Sequence, residues 1–380
     1  MTELIKREIE DQIIQGLSPN KVIQILGPRR VGKTVLLKQI IGRIQEKHLL
    51  LNGEDLDVAQ LLANRSIQHY KNLFGSTKLI IIDEAQKIPE IGKILKLMVD
   101  GLDGIKIIIT GSSAFDLSQN TGEPLTGRKK TFHLFALSES ELNQVENRFQ
   151  KPTNLRERLV FGNYPELQQL LNQNEKIDYL KELVQSYLLK DILQFENIRN
   201  SDKILKLLRL IAFQSGSEIS YTELGKQLSM SKNTIERYLD LLSKVYVIHS
   251  LDGFSKNLRK EISKSKKWYF FDNGLMNALI GNFKPIDLRD DNGKLWENYI
   301  IAERLKHQNY SRMVVYNHFW RTYDQQEIDW IEEHGGKLNA FEFKWNPKRK
   351  AKPPVAWKNA YPDAEFEVIH PENYLSWITT

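Results

Sequence analysis

Gly27-Pro28-Arg29-Arg30-Val31-Gly32-Lys33-Thr34 is the stretch that decides the fold. It fits G-x-x-x-x-G-K-[ST] at every fixed position. The apolar run VIQIL precedes it and the amphipathic VLLKQIIGRI follows, so the stretch joins a buried strand to a helix. Glycines in such a turn let backbone amides face inward at a helix N-terminus, where the dipole favours anions. Gly27, Pro28, Arg29, Arg30, Val31, Gly32, Lys33, Thr34 and the adjoining Val35 are therefore expected to cradle the phosphates of a nucleotide. Lys33 would reach the β- and γ-phosphates, and Thr34 would hold Mg2+. A merely structural turn needs the glycines but not the Lys-Thr pair.

The segment LIIIDEAQ supplies the complement. Its four apolar residues read as a buried strand whose end presents Asp83, expected to hold magnesium, and Glu84, placed to polarise the attacking water. The plainer reading is that two acids cap the following helix. The strand at 105–109 ends in Thr110-Gly111-Ser112-Ser113, where Thr110 is a candidate γ-phosphate sensor or simply part of a turn. Arg128, in Thr126-Gly127-Arg128, is a candidate to stabilise transition-state charge within or between subunits; Arg29 and Arg30 compete for that role.

Around these motifs, apolar runs at 22–26, 49–51, 79–82 and 107–109 alternate with amphipathic stretches, the pattern of parallel strands buried between helices. A length of 380 residues suits more than one domain. The expected division is an ATPase domain at 1–150, a helical segment at 151–285 and an α+β domain at 286–380. With no cysteine, disulfides, thiolate zinc sites and cysteine nucleophiles are excluded, and a cytoplasmic location is expected. No apolar run is long enough to span a bilayer as a helix, so no membrane partner is expected. The formal net charge of +6 is compatible with nucleic acid but does not identify it.

Residues 217–267 read as a winged helix-turn-helix: a helix, the turn Ser229-Met230-Ser231, a helix from Lys232, and a strand at 246–250. Ile235, Leu239 and Leu242 would face inward. Lys232, Asn233, Glu236 and Arg237 would face outward, where such modules read DNA. A basic run follows, with Lys256, Arg259, Lys260, Lys264, Lys266 and Lys267 suited to phosphate contacts. Such modules also dock proteins or act structurally. Further on, Glu297 lies on a helix, Asp329 on an alternating strand, and Glu342 and Lys344 two apart on the next strand, hence on one face. Converging carboxylates and an ammonium suit metal-dependent phosphodiester chemistry; a surface cross-strand pair is the simpler alternative.

Taken together, GPRRVGKT, LIIIDEAQ, ITGSS, TGR, FGNYPEL, YLLKDI, SKNTIERYLDLL, WYFFDNGL, LWENYI, EIDWI and AFEFKW resemble, in order and over nearly the whole chain, the AAA-like P-loop ATPases with a C-terminal domain of unknown function 4143. Asn163 and Trp330 depart from the usual glycine and phenylalanine there without touching a proposed role. The resemblance implies an α/β P-loop NTPase domain with a parallel sheet, a helical and winged-helix segment, and an α+β domain similar to PD-(D/E)xK nucleases. It implies ATP and Mg2+ as cofactors, with nucleotide binding on Gly27, Gly32, Lys33 and Thr34. Asp83 and Glu84 take the magnesium and hydrolysis roles, and Glu297, Asp329, Glu342 and Lys344 the nuclease-like motif. Double-stranded DNA is the expected macromolecular partner, with a homo-oligomer or a protein partner as alternatives.

Overall fold

The computed structural model describes residues 4–112, 125–188, 201–255 and 266–379. They divide into two compact units, Met1–Ala136 and Leu137–Thr380.

The first unit is built on five strands: β1 (Lys21–Gly27), β2 (His48–Asn52), β3 (Leu79–Asp83), β4 (Lys106–Ser112) and β5 (Lys129–His133). They pair in the order β2-β3-β4-β1-β5, every pair parallel. Helices connect β1 to β2, β2 to β3 and β3 to β4, the crossovers that parallel strands require. Sheet residues of β3 are buried throughout, as a strand covered on both faces must be. The order sets β4 between β3 and β1, so the C-terminal ends of these strands lie side by side. Gly27 to Thr34, Asp83, Glu84 and Thr110 all lie at that edge.

β5 was not expected from the sequence. Its residues KKTFH bury only Phe132 fully, because an edge strand can keep its other side chains in water. It nevertheless sets one feature of the loop: the Leu134 amide donates to Leu26 O, and a Cβ on Gly27 would lie 2.1 Å from Leu134 O. Glycine at 27 is thus required by the neighbouring backbone.

The second unit begins with helices at Lys151–Phe161, Gln173–Glu182 and Ser201–Phe213. The helix-turn-helix follows as Tyr221–Leu228 and Lys232–Lys244. Ser231 caps the second helix, its Oγ accepting from the Thr234 amide at 3.1 Å. The turn closes tightly, with Met230 N donating to Gly225 O and Ser229 at φ +51°. Ile235, Leu239 and Leu242 are fully buried.

Two strands follow, β6 (Ile248–Gly253) and β7 (Lys267–Phe270), paired antiparallel. The C-terminal strands are β8 (Tyr316–Arg321), β9 (Glu327–His334), β10 (Lys337–Phe343) and β11 (Glu365–Ile369). One mixed sheet takes all six in the order β11-β10-β9-β8-β6-β7. The hairpin after the helix-turn-helix is therefore not freestanding: β6 adds in parallel to β8 through Asp252↔His318 and Gly253↔Phe319. Across the sheet lies the long helix Asn292–Tyr310, its Asn298 bridging to the Phe270 amide and carbonyl. All seven tryptophans of the chain belong to this unit.

Candidate functional site

At the phosphate loop, β1 ends on Gly27 and the helix Lys33–Arg43 starts from Gly32. Arg30 and Gly32 take left-handed backbone conformations, φ +65° and +92°. These inversions let the turn wrap around a concave face of backbone amides. Lys33 is buried, its Nζ donating to the carbonyls of Gly27 (3.0 Å) and Pro28 (2.9 Å). The ammonium so crosses the mouth of the loop, where a phosphate charge would meet it.

β3 and β4 bring the remaining groups to the same edge. Thr34 Oγ1 donates to Asp83 Oδ2 at 2.7 Å, across 49 residues of sequence. Thr110 Oγ1 donates to the other carboxylate oxygen of Asp83 and accepts from the Glu84 amide at 2.9 Å. Thr34, Asp83, Glu84 and Thr110 are thus one hydrogen-bonded set. A carboxylate beside a hydroxyl is the hard-oxygen donor set that suits Mg2+, and Asp83 and Thr34 would hold it.

Glu84 stands at φ +49°, an uncommon conformation for a residue with a side chain. Gly53 makes room for it: its amide donates to Asp83 O, and a Cβ there would lie 2.4 Å from Glu84 O. The Glu84 carboxylate accepts from Gln86 Nε2.

One residue of this site has no motif to announce it. Arg7 is buried and forks across the chain, with Nη1 on Val31 O and Nη2 on Phe135 O, both at 2.7 Å. It ties the middle of the phosphate loop to the chain just past β5. Arg128, in contrast, does not reach the loop of its own chain. Its carbonyl accepts from Val22 N at the opposite end of β1, and its guanidinium pairs with Asp100 at 2.7 Å. The five rises of extended strand from Val22 to Gly27 put about 16 Å between those points.

In the second unit, Lys232, Asn233, Glu236 and Arg237 are exposed on the second helix of the helix-turn-helix. Lys256, Arg259, Lys260 and Lys264 lie outside the described residues. Lys267 corrects the expectation for the basic run: it is buried, paired with Glu327, and unavailable to a phosphate. Lys266 is half-exposed and pairs with Asp252.

The C-terminal residues do come together, around a cavity of about 940 Å3 that Glu297, Asp329 and Lys344 line. Asp329 Oδ2 accepts from the Phe343 amide at 2.9 Å, locking β9 to the end of β10. Lys344 donates to Glu342 Oε1 at 2.6 Å, so this pair shares a face as expected. Glu297 accepts from Tyr269 Oη at 2.7 Å. Lys267 and Tyr269, not expected from the sequence to take part in this site, thus deliver an ammonium and a phenol to the acids.

Burial, then the nearby charges of Glu297 and Glu342, push the Asp329 carboxyl well above the usual range. Burial raises Glu297 as well, against the opposing pull of Lys267 and Tyr269. Each acid is satisfied by an internal donor, and among the described residues no three Asp, Glu or His side chains are grouped to hold an ion.

The parallel sheet and the loop at the end of β1 define a P-loop ATPase fold. Residues 19–143 match the AAA domain, 152–285 a domain of unknown function (DUF8612), and 292–374 a domain of unknown function (DUF4143). The chain is therefore an AAA-domain P-loop protein carrying a C-terminal DUF4143 domain.

An uncharacterized protein of Mycobacterium tuberculosis is 25% identical over 346 residues, covering 89% of this chain and 74% of its own. One of Methanocaldococcus jannaschii is 28% identical over 324 residues, covering 79% and 69%. Among solved structures, a Walker-type ATPase of Pyrococcus abyssi aligns with a TM-score of 0.48 at 17% identity, over 73% of this chain and 96% of that one. The Holliday junction branch migration motor RuvB of Thermotoga maritima aligns with a TM-score of 0.31 at 14% identity, over 64% and 89%. Among the described residues no helix is long and apolar enough to cross a membrane.

Proposed function

We propose that this protein binds and hydrolyses ATP with magnesium, and that its nucleotide state governs engagement of double-stranded DNA by the second unit. The observation that carries the first part is the convergence of Thr34, Asp83 and Thr110 beside Lys33. Backbone amides from Gly27 to Val35 and the Lys33 ammonium hold the phosphates. Asp83 and Thr34 would hold magnesium, which would supply positive charge against the phosphates. Glu84, fixed through its amide on Thr110, orients the attacking water, and Thr110 is placed to sense whether a γ-phosphate is present. Arg29 and Arg30 are the arginines of the loop itself; a contribution from Arg128 requires a second copy of the chain.

DNA engagement is supported by the exposed Lys232, Asn233 and Arg237 on the second helix of the helix-turn-helix. We read residues 217–267 as a winged helix, within a middle domain at 151–285 between an ATPase domain at 1–150 and a nuclease-like domain at 286–380. Lys256, Arg259 and Lys260 are proposed phosphate contacts of the wing. We read the last domain, with Glu297, Asp329, Glu342 and Lys344, as nuclease-like; metal-dependent nicking of DNA that Asp329→Ala abolishes, with ATP turnover intact, would assign it cleavage.

The test is the steady-state ATPase rate with magnesium, with and without duplex DNA, using Lys33→Ala as blank. A rate that DNA raises severalfold, and that salt suppresses, is expected. Glu84→Gln should bind ATP and turn it over slowly; full turnover would remove Glu84 from the water-orienting role. A rate indifferent to DNA would point to a protein partner instead.

A further inference from the structure

The cavity beside the acids has a rim that the reading above does not use. Trp345 lines it, directly after Lys344, and is only half-buried. Its inner side packs on buried Trp296, ring centroids 5.8 Å apart, and the Arg156 guanidinium stands 5.8 Å from the Trp345 ring. An indole braced from behind, at the mouth of a cavity, is a stacking platform. The chain then runs on as Asn346-Pro347-Lys348-Arg349-Lys350-Ala351-Lys352, four basic residues with no acid, all four exposed. Arg349 turns back to line the cavity together with Lys294 and Arg156. An aromatic platform continued by a basic track is the combination that binds an unpaired polynucleotide.

Size excludes a duplex. The cavity equals in volume a sphere about 12 Å across, the width of the DNA major groove alone (~12 Å). A single nucleotide fits; a base-paired helix does not. The floor supplies chemistry for a base edge. Glu297 and Asp329 offer carboxyl oxygens that can accept from an exocyclic amino group.

We propose that this cavity binds the unpaired end of a DNA strand, one base stacked on Trp345 with its amino group toward Glu297 and Asp329, and its backbone tracked by Lys348, Arg349, Lys350 and Lys352. The inference rests on the reading that the second unit binds DNA, and it names a ligand class that the helix-turn-helix does not account for. It implies that the chain meets DNA where strands separate.

The test is fluorescence anisotropy with labelled oligo(dC), oligo(dT) and a closed duplex hairpin, on the full-length chain and its variants. Oligo(dC), which carries the amino group, should bind more tightly than oligo(dT), which lacks it. Trp345→Ala should weaken oligo(dC) binding roughly 5- to 150-fold, the range of one lost base stack, and leave the hairpin unchanged. Trp345→Phe should restore most of the loss. Should Trp345→Ala fail to fold by circular dichroism, the exposed double variant Lys348→Glu/Arg349→Glu replaces it, with the same single-strand-selective loss expected. Equal binding of oligo(dC) and hairpin, unaffected by these variants, overturns the inference and leaves the duplex-DNA reading standing. Binding of none of the three overturns both.

Discussion

Replacing Arg7 by Met tests whether the phosphate loop is braced from outside its own motif. Arg7 is 4% exposed, and its two 2.7 Å contacts end on Val31 O and Phe135 O. Methionine keeps most of the apolar stem and removes the donors. A hydrogen bond from a charged donor contributes about 1.5–3 kcal/mol, and one side chain serving two carbonyls gives less than twice that. The first unit should therefore lose about 2–4 kcal/mol of stability.

The loop should lose more than its share of this. The left-handed Arg30 and Gly32 flank Val31, so freeing the Val31 carbonyl releases the turn that aims the amides. Amide hydrogen exchange resolves the two units and isolates the loop peptides. Faster exchange across residues 27–36, with an ATP affinity at least about tenfold weaker, is expected; tenfold corresponds to roughly 1.4 kcal/mol. Arg7→Lys should rescue only in part, because an ammonium lacks the planar fork. Unchanged loop exchange together with unchanged affinity would refute the bracing argument, whatever the global stability.

Other outcomes follow from the same geometry. Arg128→Ala should leave ATP turnover of the isolated chain unchanged, and cost under about 1 kcal/mol, since its bridge to Asp100 is some 40% exposed on both sides. A loss of turnover that appears only as protein concentration rises would place Arg128 at a neighbouring copy's loop. Asp329→Asn should stabilise the second unit at neutral and higher pH, because burial and the charges of Glu297 and Glu342 raise the native carboxyl above its unfolded value. A raised native value means that stability is present below the unfolded pKa, about 4, and is lost as pH rises through the native one. The gain in melting temperature should accordingly shrink as pH falls toward 4, and a gain independent of pH would contradict it.

How far the sequence could be read varies with where each contact lies along the chain. GPRRVGKT and LIIIDE were legible because each is a contiguous stretch whose chemistry and strand-helix setting occur together. The set they form with Thr110 was legible only in part: a threonine after a strand is common, and its bond to Asp83 depends on β4 lying between β3 and β1. Arg7 left no trace, since its partners are carbonyls 24 and 128 residues away, and a carbonyl has no identity in sequence. Lys267 was misread for an instructive reason. It closes a run of solvent-suited lysines, yet it also opens β7, a strand buried at every residue, where it pairs with Glu327. KKTFH was missed because polarity hides an edge strand.

The placement of the tryptophans has a practical consequence. The ATPase unit contains no indole, whereas the second unit contains all seven. Indole emission from the intact chain therefore comes from the second unit alone. A nucleotide seated on Lys33 is optically silent unless its arrival alters the surroundings of a ring in the other unit. Titrating ATP while watching intrinsic emission thus listens for a signal at its destination, with no label attached, and Trp345→Phe shows whether that destination is the mouth of the acidic cavity.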